Sequence, residues 1–143
     1  LGESCGLVAF SSAHGDMHGV GGAFRKGWPH EEAVRIPMLV YGCGRRGADD
    51  DLRMSLTDLG PTLLGLAGAR SQLGSDGLDL SNCLSRTEAG PVQQELSMPS
   101  VPPFAQQCPY AWTARRTKGQ TEVLPESGPS FAIGHGGWAE FEA

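Results

Sequence analysis

No run of apolar residues in this chain of 143 comes near the roughly 20 that a membrane-spanning helix needs, so no transmembrane segment is expected. Basic charge is scarce as well: 11 Lys and Arg face 16 Asp and Glu, for a formal net charge of −5. The adjacent pairs Arg45-Arg46 and Arg115-Arg116 do not amount to a patch, which argues against a nucleic-acid partner. Four cysteines, Cys5, Cys43, Cys83 and Cys108, lie far apart with no CxxC spacing. That pattern speaks against structural zinc and requires no disulfide framework; isolated thiols are expected, and the compartment stays open. A P-loop is absent too.

Glycine and proline, by contrast, are plentiful at 21 and 10 residues, so loops must be abundant. The length suits one ordinary domain or part of a larger one. Leu7 to Phe10 is a short apolar run that predicts a buried strand, delivering a loop at its C-terminal end. Ligands bind at such strand ends in open α/β sheets. Glu31 to Arg35 allows one helical turn before Pro37, and Met38 to Tyr41 predicts a second strand. Leu56 to Gly68 reads as an amphipathic helix, capped by Ser55 or Thr57 and stopped by Gly68. Leu56, Leu59, Leu63 and Leu66 fall on one face, and Pro61 is placed in or near the first turn.

Beyond Leu80 the composition loosens. Residues 88 to 109 carry five prolines and read as an irregular connection. Tyr110 to Thr117 and Thr121 to Leu124 predict two strands of a small antiparallel sheet turned at Lys118-Gly119, and Phe131 to Ala143 shows no clear element. A boundary is expected between residues 80 and 95.

The chemistry-bearing residues gather after the first strand. His14, Asp16 and His18 lie within five positions; such a group can bind a divalent ion, or simply belong to a polar glycine-rich loop. Lys26, beside Gly27, can contact an anion or be a solvated surface residue. Arg35 leads directly into a strand, so a structural ion pair with Glu31 or Glu32 is expected.

In order along the chain, these pieces resemble the sulfatase family of the alkaline-phosphatase-like superfamily. Ser12-Ala13-His14-Gly15-Asp16-Met17 is similar to the family's Ser-Asp-His-Gly-Asp-Met loop. Lys26-Gly27-Trp28-Pro29-His30-Glu31-Glu32 is similar to its Lys-Gly-x-x-x-Tyr-Glu-Glu stretch, and Arg35-Ile36-Pro37 to its Arg-x-Pro. Ser55 to Gly68 resembles the family's SLTDLAPTLLDLAG helix at nearly every position, and Asp76 to Leu80 its DGRSL segment. Trp112 to Lys118 resembles the W-R-x-x-R-T strand of its small C-terminal sheet.

The resemblance implies the C-terminal portion of such a protein. The implied fold is α/β: a partial alkaline-phosphatase-like sandwich, a mixed sheet with flanking helices, plus a small C-terminal antiparallel sheet. Residues 1–85 would belong to the catalytic domain and 86–143 to a C-terminal subdomain. A complete family member hydrolyses sulfate esters with a formylglycine nucleophile and a divalent ion, commonly calcium, and takes a small sulfated substrate. By the same match, His14 stands at a metal ligand and Lys26 at the lysine that contacts the sulfate and nucleophile. The carboxylate expected before His14 is replaced by Ala13, with Asp16 a weak substitute, and the usual tyrosine is His30. None of the four cysteines has Pro at +2 and Arg at +4, so the nucleophile motif is missing and this chain is expected to be inactive alone. A degenerate, non-catalytic relative and a hydrolase of phosphonate monoesters or phosphodiesters are the alternatives.

Overall fold

A computed structural model describes residues 6–44, 46–47, 51–69, 74, 76–86, 88–98 and 108–134. The chain is α/β and divides into two compact units, one of Pro37–Val92 with the residues up to Ser11, the other of Ser12–Ile36 with the residues from Gln93 onward. Cys5, Arg45 and the tail beyond Gly134 lie outside the described residues.

In the first unit, β1 (Val8–Ser11) pairs antiparallel with β2 (Met38–Tyr41), Val8 opposite Tyr41 and Phe10 opposite Leu39. Alternation across a strand puts these four large side chains on one face. All four are exposed, Val8 at 60% and Tyr41 at 69%. The buried strand predicted from the apolar run is thus a strand in the open, because a two-stranded sheet buries residues only where another layer covers it.

Helix α2 (Leu56–Leu66) begins at Ser55, whose backbone N–H donates to Asp58 Oδ2 at 2.7 Å. It ends at Gly68, where φ is +71 and the following Ala69 N–H returns to the Leu64 carbonyl at 2.8 Å. Only a residue without a Cβ takes that left-handed turn freely. Pro61 is the sixth residue of the helix, just beyond its first turn. The buried side of α2 centres on Asp58 and Thr62 rather than on its leucines. Asp58 Oδ1 accepts the Leu78 N–H at 2.8 Å, and Thr62 Oγ1 accepts that of Leu80 at 3.0 Å while donating to the Leu78 carbonyl. These bonds fasten the 78–80 segment, which would otherwise bury unpaired backbone groups. The short α3 (Ser81–Arg86) follows.

The second unit carries a four-stranded antiparallel meander in the order β3 (Gln94–Met98), β4 (Trp112–Arg116), β5 (Gln120–Pro125), β6 (Phe131–Gly134). Two of these were expected. β3 falls inside the connection read as irregular and β6 inside the tail read as featureless. β3 is mostly polar and β6 is only four residues long, and each is decided by pairing with a neighbour. Along β4 and β5 the alternation is clean: Trp112 and Ala114, Thr121 and Val123 point inward. Trp112, Ala114 and Val123 form a core with Cys108 and Ile133, against which Trp28, Val34, Leu96, Met98 and Phe131 pack. Cys83 and Cys108 are buried and Cys43 is half-buried; burial pushes the Cys108 thiol up from its ordinary pKa.

Candidate functional site

All the candidate residues lie in the 12–36 segment of the second unit. No helix forms between His14 and His18; the chain instead folds back on itself. Asp16 organises this turn. Its Oδ1 accepts the His18 N–H at 2.9 Å and the Arg25 N–H at 3.2 Å, both from residues with positive φ. The hydrogen bond from His18, and then the charge of its ring, hold the Asp16 carboxyl below the usual carboxylate range. The Met17 N–H adds a bond to the Arg25 carbonyl at 2.9 Å, and Met17 is fully buried beneath the turn with Ala23 and Ala33. His18 stays exposed at the rim.

Closing the turn brings His14 and Lys26 together, with Lys26 Nζ 3.2 Å from His14 Nε2. An ammonium only donates, so Nε2 accepts, and Nδ1 carries the ring proton toward the Gly15 carbonyl at 2.7 Å. His14 is exposed and Lys26 half-buried, so the pair faces solvent on one side. An anion approaching there meets a cation whose position is already set.

The segment after Lys26 runs into the core. The Gly27 carbonyl accepts the Trp112 indole N–H at 2.8 Å. Pro29 and His30 are buried, and His30 meets Trp28 edge-on with ring centroids 6.2 Å apart. Burial lowers the His30 pKa from the ordinary 6.5. Helix α1 (Glu31–Val34) then begins, and Gly15 packs against it. The Gly15 N–H donates to the Ala33 carbonyl at 2.9 Å, and a Cβ at this position would collide with the carbonyl of Glu32. Glu31 makes a two-pronged ion pair with Arg116, at 2.7 and 2.8 Å. The expected partner, Arg35, is exposed on the following residues. Arg116 wins because β4 brings a guanidinium to the inner face, a placement local sequence does not show. Trp112 and Arg116 belong to the strand that resembles the family's C-terminal one, but nothing in the sequence ties them to the loop.

No family model matches the chain. Curated relatives do. The chain is 32% identical over 131 residues to an ulvan-active sulfatase of Formosa agariphila, covering 87% of this chain and 25% of that protein. It is 36% identical over 83 residues to an arylsulfatase of Clostridium perfringens, covering 54% and 17%. The chain belongs to the sulfatase family.

Solved sulfatase-type structures share the fold. The Bacteroides fragilis protein yidJ, assigned as a sulfatase, superposes with a TM-score of 0.73 at 22% identity, over 90% of this chain and 29% of that one. A phosphonate monoester hydrolase from Silicibacter pomeroyi gives 0.73 at 23% identity, over 94% and 29%. A third structure, solved with its substrate D-glucosamine-2-N,6-O-disulfate, gives 0.67 at 18% identity, over 90% and 27%. The chain thus spans about a quarter of the length of the first relative.

Sulfatase membership implies a metal in general, and the residues here do not fit one by themselves. Among the described residues no group of three His, Cys, Asp or Glu converges. Ala13 has no donor, Asp16 Oδ1 is engaged within its own turn, and the one lone pair of His14 already accepts from Lys26. A hard cation such as calcium takes roughly six to eight oxygen ligands. What this sulfatase segment does present is a positioned ammonium.

Proposed function

We propose that the 12–36 loop is the sulfate-facing part of a site that hydrolyses sulfate esters, with Lys26 as the group that contacts the sulfate and His14 as its positioning partner. The 3.2 Å Lys26–His14 contact carries this reading. It fixes the position of the ammonium beside the imidazole, and a cation already held in place contacts an anion without first having to be ordered. In the complete enzyme, the nucleophile is a formylglycine, which none of this chain's cysteines is placed to supply, and the divalent ion is calcium. The substrate class is a sulfated sugar, as the Formosa relative's activity on ulvan and the disulfated glucosamine bound to one neighbour suggest.

Ala13 supports a second reading, in which this member binds sulfated ligands without turning them over. A phosphonate monoester also presents an oxyanion to a lysine, and the hydrolase of that class shares the fold. Titration of the chain with sodium sulfate, followed at the His14 ring by NMR, is expected to give saturable shifts that Lys26→Ala abolishes. Shifts that never saturate would overturn the assignment of Lys26. Calorimetry with calcium chloride separates the two family readings: the parent chain should bind calcium weakly and Ala13→Asp more tightly. Tight binding by the parent would show that Ala13 does not break the metal shell.

A further inference from the structure

We propose that strand β4 is the positioning element of the candidate site, holding both halves of the His14–Lys26 pair through Trp112 and Arg116. This goes beyond the sulfate reading and rests on it only for the choice of sulfate as the anion probe. Trp112 and Arg116 are four residues apart on one strand, so they project from the same face, with Ala114 between them. Thr113 and Arg115 take the opposite, exposed side.

Each inward side chain reaches one half of the pair. Trp112 is 4% exposed and its indole N–H donates to the Gly27 carbonyl at 2.8 Å, one residue past Lys26. That bond fixes the backbone from which the Lys26 side chain rises. Arg116 acts on the other half through α1. Its guanidinium grips Glu31 with both prongs, and the side chains are only 12% and 19% exposed. Two residues on, the Ala33 carbonyl accepts the N–H of Gly15, which adjoins His14. The absence of a Cβ at Gly15 lets loop and helix touch. A two-pronged guanidinium–carboxylate pair fixes orientation as well as distance, which a single lysine contact does not. Removing either anchor frees one half of the pair to move against the other.

The test uses the whole 143-residue chain and two variants that avoid leaving a buried charge alone. Trp112→Phe keeps an aromatic ring in the core and deletes the N–H. The double variant Glu31→Gln, Arg116→Met removes both charges together, an exchange that is often near neutral for stability. Three quantities are read: the melting temperature, the NMR contact between the His14 ring and the Lys26 side-chain methylenes, and the affinity for sodium sulfate. Both variants should remain folded, lose most of the His14–Lys26 contact, and bind sulfate about fivefold more weakly, the loss of one ordinary hydrogen bond's worth of order. A merely structural role predicts instead that the double variant regains stability and keeps the contact and the affinity. Parent-like contact in both variants overturns the proposal. If the double variant fails to fold, Trp112→Phe decides alone by the same criterion. Should the parent show no saturable sulfate binding, the sulfate reading fails while the His14–Lys26 contact still judges the positioning role.

Discussion

Arg116→Ala is the perturbation whose size the structure sets most directly. Truncating the guanidinium leaves the Glu31 carboxylate without its two hydrogen bonds, at a site where the side chains are 12% and 19% exposed. Breaking a fully buried pair costs about 3–5 kcal/mol; the residual water here reduces that to roughly 2–3 kcal/mol. At about 4–8 °C per kcal/mol for a unit in the 60–100-residue range, the melting temperature should fall by roughly 10–20 °C. Fluorescence is a suitable assay, since Trp28 and Trp112 both pack in the core that β4 anchors. The neighbouring strand position supplies a control. Arg115 pairs with Glu95 at 3.0 Å, but their side chains are 55% and 67% exposed, so Arg115→Ala should leave the melt unchanged. An Arg116→Ala melt indistinguishable from that of Arg115→Ala would refute the reasoning, because burial would then make no difference between the two pairs.

Two further perturbations probe other parts of the chain. Asp58→Ala removes the acceptor of the Ser55 and Leu78 N–H groups at a position 7% exposed, and should lower the stability of the first unit by about 2–4 kcal/mol in urea denaturation; a loss under about 1 kcal/mol would mean that water takes over both donors. Burial lowers the His30 pKa from 6.5, so in the window below 6.5 the unfolded chain binds more protons than the folded one. Stability from this group is therefore complete above pH 6.5 and is lost as the pH falls through the lowered folded value. Melting curves from pH 7.5 to pH 5 should show a steeper decline for the parent than for His30→Gln, and equal slopes would count against the buried histidine as the cause.

Much of this protein was legible because its signals are local. Ser55, the spacing of the α2 leucines and Gly68 each act within a turn or two, so the helix and its ends could be placed from local residue order. The Lys118-Gly119 turn flanked by alternating residues announced β4 and β5 in the same way. The order of the motifs was enough to mark out the sulfatase family, with His14 and Lys26 as the residues to watch.

Other features depend on what the chain meets after folding. β1 carries an apolar run that looks buried, yet Phe10 is 59% exposed, because the pattern records which faces can be covered and not whether they are. β3 and β6 have their partners far along the chain or across a short turn, and pairing rather than propensity makes them strands. The candidate site divides along the same line. Residue identity determined only that the loop would carry an ammonium at Lys26, an imidazole at His14 and a methyl group at Ala13. Only the tertiary structure decided that Asp16 would close the turn and bring His14 to Lys26, and that the Gly27 carbonyl and Glu31 would be held from a strand 85 residues away. Hydrogen bonds and ion pairs of that reach have no periodicity, so they exist as information only once the backbone has brought their atoms within 3 Å.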